Sequence, residues 1–235
     1  MKQSLSLILS LALFASPALA ERPKLNSDPA FNRFYHFLAD PAQHTDFFDP
    51  IKYIPLGNTD HTYLSMSGEI RQRYESQFNP AFGLSGVQKD DYLLSRTLLG
   101  ADLHLTHHFR SFVQLGHHDV FGKTAPASSS ERSHVDLQQA FAEVFLPYYD
   151  FKHKLSFRVG RQEAVFDNQR FLSISDRGNI RRSFDAASAK LYWDKYQFIA
   201  FAGRPLSIGA ESFDDTSDNQ QFLGGLYAVL PSFDE

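Results

Sequence analysis

The sequence predicts an all-β protein: an antiparallel transmembrane β-barrel, of which about eight strands are present. Three observations carry this expectation. From Tyr63 onward apolar and polar residues alternate with a period of two, and the polar row is repeatedly charged. The connections between the alternating stretches run long, short, long, short, long, short, long, as in barrels with extracellular loops at one end and periplasmic turns at the other. Beyond the first twenty residues there is no run of 18 apolar residues, so a helical span is excluded.

Those first twenty residues form a separate unit. Lys2 supplies a positive start, residues 5–13 are apolar, and Pro17 precedes Ala18-Leu19-Ala20, a small-x-small cleavage pattern. The apolar run is too short to span a bilayer and reads as a secretory signal, with the mature chain beginning at Glu21. The 235-residue chain has no cysteine, which removes disulfides and thiolate metal sites from consideration. A net charge of −4 argues against nucleic acid as a partner. Phenylalanine and tyrosine, with 23 and 10 copies, suit strands and interfacial girdles better than a helical bundle.

Residues 21–61 contain Pro23, Pro29, Pro41, Pro50 and Pro55 and are expected to form a periplasmic extension. Within it, residues 31–38 could form one short amphipathic helix. Residues 62–235 hold the barrel. In its first strand Leu64, Met66, Ile70 and Tyr74 alternate with Ser65, Ser67, Glu69, Arg71, Arg73 and Glu75. Further strands are expected over 92–105, 109–116, 135–146, 155–160, 184–193, 197–203 and 222–230. Tight turns at 106–108, 147–150 and 194–195 alternate with polar loops over 117–133, 164–182 and 204–220. Strands of about ten residues, rising about 3.3 Å each and tilted about 40°, cover roughly 25 Å of hydrocarbon.

Several motifs occur in order: Tyr53-Ile54-Pro55-Leu56-Gly57, Ser67-Gly68-Glu69-Ile70-Arg71-Gln72-Arg73-Tyr74-Glu75 and Asp136-Leu137-Gln138-Gln139-Ala140-Phe141. Val159-Gly160-Arg161-Gln162-Glu163 and Asp176-Arg177-Gly178-Asn179-Ile180-Arg181-Arg182-Ser183-Phe184-Asp185 follow. Together they resemble the alginate export family of bacterial outer-membrane proteins. The resemblance implies an eighteen-stranded barrel that passes an anionic polysaccharide outward through an arginine-rich lumen. Against that pattern the chain supplies only the N-terminal part and reads as truncated after residues 231–235. An eight-stranded closure would leave a lumen filled by side chains.

The implied cargo points to arginine, whose planar fork pairs bidentately with carboxylate and stays charged at every working pH. The candidate pathway residues are Glu69, Arg71, Arg73, Arg96, Asp102, Arg110 and Arg158 on polar strand faces. Arg161, Arg181, Arg182 and Asp185 join them from the motifs at and after the 164–182 loop. Alternatively, these charges solvate a wide lumen and pair across strands. Gly160 and Gly178 are expected to serve backbone geometry. The pairs His107-His108 and His117-His118 do not suit one metal ion, because adjacent strand residues point to opposite faces. Ser111 and His117 share a face without a nearby acid, so no hydrolase triad is assembled and no cofactor is expected. The expected setting is the cell outer membrane, with lipid and an anionic polysaccharide as partners and periplasmic export machinery as a further candidate. A substrate-specific uptake porin for small anionic solutes and a non-conducting adhesive barrel remain alternatives.

Overall fold

The computed structural model describes residues 30–147, 153–166 and 172–230. The expected signal segment, the expected 147–150 turn beyond Pro147 and the last five residues lie outside these ranges. Among the described residues ten strands follow one another: β1 (Ile54–Pro55), β2 (Tyr63–Phe78), β3 (Lys89–His104), β4 (Phe109–Phe121), β5 (Ser133–Pro147), β6 (His153–Glu163), β7 (Ser183–Trp193), β8 (Tyr196–Ser207), β9 (Thr216–Ser217) and β10 (Leu223–Val229). They form one sheet in the order β1-β2-β3-β4-β5-β6-β7-β8-β10, with β9 paired to β8, and every pairing is antiparallel. Such a meander follows from connections that join sequential neighbours.

Period-two patterning sets the register. β2 and β3 pair without a break from Tyr63↔His104 to Phe78↔Lys89. A slip of one residue would exchange the charged and apolar rows, so the pattern specifies this pairing strongly. Strand β4 runs on through His117 and His118 to Phe121, past the Gly116 end expected from sequence. Both histidines continue the alternation and pair with Thr97 and Arg96 of β3. Likewise β8 extends to Ser207. The imperfect alternation of β5 has a physical cause. Register shifts between Gln114 and Leu115 and between Gly116 and His118 mark bulges, and both Gln138 and Gln139 are buried at the first of them. In β6, Gly160 sits at φ +124°, where a β-carbon would collide with the Ala140 carbonyl, so glycine is required.

Burial is inverted relative to a water-soluble sheet. Ile70 is 78% exposed, and Tyr74, Leu99, Val113 and Val159 are exposed with it. On the opposite row Arg96 is 1% and Arg110 0% exposed, in company with Asp102, Glu143 and Arg158. The charged face is thus the covered one. Two segments cover it: residues 31–38 near the short connections, and residues 176–181 near the long ones.

Residues 31–38 are not the single helix that their apolar spacing suggests. They fold as two 3-10 turns, Ala30–Asn32 and His36–Ala39. The reason is competition for the backbone. In a helix the Tyr35 N–H would donate to the Phe31 carbonyl. Here the Tyr35 N–H donates to Tyr63 Oη at 3.3 Å, and the Phe31 carbonyl accepts from Arg110 Nη2 at 2.5 Å. Phe31 packs with Phe112 and Phe141, while Tyr35 and Leu38 pack with Tyr63, so the apolar side chains bury in two places rather than one.

Candidate functional site

Near the long connections, charges from β2 and β3 meet the β6–β7 connection. Arg96 donates from Nε and Nη2 to Glu69 Oε1 (2.8 and 2.5 Å) and from Nη2 to Asp176 Oδ1 (2.8 Å). Arg181 completes the square, donating to Asp176 Oδ1 (2.8 Å) and Glu69 Oε2 (2.7 Å). Burial raises the Asp176 carboxyl, but the hydrogen bonds from Arg181 and Arg96 outweigh it and hold the group below the usual carboxylate range. Arg71 lies 3.6 Å from Asp176 Oδ2, so three guanidinium groups share two carboxylates. Arg71 also donates to the carbonyls of Asp176 (2.7 Å) and Gly178 (2.6 Å), and Arg73 to that of Arg177 (2.6 Å). Asn179, 1% exposed, locks the same loop by donating from Nδ2 to the carbonyls of Ser95, Asp119 and Glu131 (2.9, 3.2 and 2.9 Å).

Near the short connections a second cluster is charge-balanced. Arg110 donates to Asp102 (3.2 Å) and Glu143 (3.1 Å), and Arg158 donates to the same Glu143 oxygen at 2.8 Å. Aromatic faces flank both cations: Phe34 lies 4.9 Å from Arg110, and Phe141 lies 4.1 Å from Arg158.

The remaining expected site residues do not join these clusters. Arg161 and Asp185 are direct cross-strand partners at 3.0 Å. The register counts them with the row of Val159 and Ala187, not with Arg158 and Ser188. The Arg182 side chain is exposed, and its backbone N–H donates to the Ile174 carbonyl at 2.7 Å. Among the described residues, Asp136, Asp214 and Asp215 bring three carboxylates within reach of one ion. Asp136 Oδ2, however, already accepts the backbone N–H groups of Asp214 (2.9 Å) and Asp215 (3.1 Å), so this triad anchors a loop.

The sheet therefore presents two clusters of arginine and carboxylate on one covered face, each contacted by a segment from elsewhere in the chain. The alginate export family model matches residues 62–231, well over half of the sequence. The chain belongs to the alginate export family. Members form a family of outer-membrane export channels rather than of enzymes. Comparison with curated proteins and with solved structures returned no match.

In this alginate export chain several site residues escaped the sequence pattern. Glu143 bridges two arginines from a strand whose alternation is broken, and Asp176 and Asn179 lie in a loop, where periodicity carries no information. Asp176 and Asn179 did stand in a family-like motif, and the adjacent glutamines in Asp136-Leu137-Gln138-Gln139-Ala140-Phe141 signalled the irregular strand, since two neighbouring strand residues face the same side only at a bulge. Gln138 donates to Glu163 (3.1 Å), to the Arg181 carbonyl (3.0 Å) and to Ser183 (2.8 Å), tying the motif to the start of β7. Gln139 donates to Gln114 at 3.0 Å.

Proposed function

We propose that this sheet forms barrel wall in the outer membrane and exports an anionic, alginate-like polysaccharide along its arginine-bearing face, after secretion directed by residues 1–20. The inverted burial of β2 and β3 carries the proposal. An apolar row with Ile70 78% exposed is costly in water but suits lipid, and the covered opposite row then lines the lumen. Closure of the sheet into a barrel follows within this proposal, because an open edge cannot face hydrocarbon.

The clusters suit transit better than capture. Each buried arginine already has carboxylate or carbonyl partners, so the empty pathway leaves no uncompensated buried charge. A passing uronate exchanges one oxygen acceptor for another, which keeps the charge-assisted bonds in number and lets the polymer move on. Arg71, which shares Asp176 with Arg96 and Arg181, and its neighbour Arg73 keep part of their side chains open to a passing polymer. The test is conductance in planar bilayers. Changing Arg71, Arg73, Arg110 and Arg158 to glutamine should lower anion selectivity and weaken current block by a soluble oligouronate. Unchanged selectivity in a well-inserted quadruple variant would refute the arginine pathway.

A further inference from the structure

The two clusters are covered in different ways. The β6–β7 connection is tied at both ends to paired strands, whereas residues 31–38 precede the sheet and pair with no strand among the described residues. This N-terminal segment nevertheless places oxygens on both lower arginines. Arg110 gives Nη2 to the Phe31 carbonyl, and Arg158 gives Nη2 to Asn32 Oδ1 at 3.2 Å. Their other contacts go to Asp102 and Glu143. The segment's oxygens thus sit where a ligand oxygen would sit, on Arg110 Nη2 and on Arg158 Nη2, the latter shared with Glu143 Oε2 at 2.8 Å. The segment also forgoes its own i→i−4 bond to do so, since the Phe31 carbonyl and Tyr35 N–H are both spent on the sheet.

Phe31 and Phe34 complete the cover. Phe31 packs against Phe112 at 6.4 Å between ring centroids, and Phe34 meets His104 edge-on at 5.5 Å as well as lying over Arg110. Anchoring rests on Phe31, Tyr35 and Leu38, which are deeply buried.

We propose that residues 31–38 are a built-in plug, a stand-in for cargo that occupies Arg110 and Arg158 until an anionic polysaccharide displaces it. The inference rests on the export reading above. Displacement exchanges a carbonyl and an amide oxygen for carboxylate and hydroxyl oxygens on the same nitrogens, so the stronger charge-assisted acceptor replaces the neutral one. A polymer delivers many such acceptors at high local concentration and competes effectively with a single tethered segment.

The chain has no cysteine, so a single introduced thiol reports without background. Leu38 is 1% exposed, and the thiol of Leu38→Cys should react slowly with a maleimide in the full, folded chain. Saturating oligomannuronate should raise the labelling rate at least tenfold, and neutral dextran should not. An unchanged rate at an oligomannuronate concentration shown by equilibrium dialysis to saturate the chain would overturn the plug. A second variant, Phe31→Ala with Leu38→Ala, unseats the segment while keeping both arginines and their carboxylate partners, and should bind oligomannuronate at least tenfold more tightly. Equal binding by this variant and the unaltered chain would also overturn the plug while leaving the export reading standing. Binding by neither would defeat the export reading, and the plug with it.

Discussion

Arg71 on β2 donates at 2.6 Å to the carbonyl of Gly178, 107 positions later in the chain. With its second bond to the Asp176 carbonyl, the guanidinium holds the β6–β7 connection across the charged face. Asn179 clasps the same loop from the other side. Asn179→Ala would leave three carbonyls short of a donor, at a cost of about 1–3 kcal/mol. The loop should then open locally, with trypsin cleaving faster at Arg177 while the circular dichroism of the sheet stays unchanged. Equal cleavage rates would show that Asn179 does not hold the loop.

The two rows of β2 predict different failures. Ile70→Arg places a cation on the exposed apolar row and should impair insertion by roughly 2–4 kcal/mol near the bilayer midplane. Heat-modifiable migration in gels, which separates assembled from unassembled barrels, reads this directly. Arg71→Gln should leave assembly intact. The reverse outcome would mean that the apolar row does not face lipid.

Topology can be probed without function. Epitopes at Ser129, in the β4–β5 connection, and at Asp218, before β10, should be reachable on intact cells. One at Asp194, in the β7–β8 turn, should become reachable only once the outer membrane is opened. Simultaneous exposure of all three would contradict the alternating connections.

Acid should loosen the N-terminal segment. His36 faces His61, His104, Lys154 and His107, and burial together with these neighbours lowers its pKa below the usual 6.5. Groups with a lowered pKa when docked favour docking above 6.5, and the contribution is lost as pH falls through the lowered values. Maleimide labelling of Leu38→Cys should therefore accelerate between about pH 7 and pH 5 relative to a chain also carrying His36→Gln. Comparison with that variant cancels the thiol's own titration, and parallel profiles would remove His36 from the contact.

Asp215 has the opposite sign. Burial pushes its carboxyl up from 3.8 to about 6, so attachment of its loop to Asp136 is strongest below about pH 4 and weakens as pH rises through about 6. Amide hydrogen exchange at Asp214 and Asp215 should show this against Asp215→Asn, which keeps the side chain neutral at every pH. Identical exchange ratios across that range would exclude the titration.

Eight of the ten strands, and the charged row of β2, β3, β4 and β6, were legible in the amino-acid order, because a period of two is a local property of the chain. Arg71, Arg96, Arg110 and Arg158 were legible for that reason, since alternation alone sets them opposite Ile70, Leu99, Val113 and Val159. The amino-acid order also carried the family, through motifs that need no geometry to be matched. What those arginines touch depends on contacts far apart in the chain. Asp176, Gly178 and Asn179 reach them from a loop without periodicity, and Glu143 does so from a bulged strand. Residues 31–38 have helical spacing, but their Phe31 carbonyl and Tyr35 N–H found partners in Arg110 and Tyr63, 79 and 28 residues away. A buried guanidinium needs oxygen partners more strongly than a short segment needs one helical turn, and such a demand appears only once the sheet has assembled.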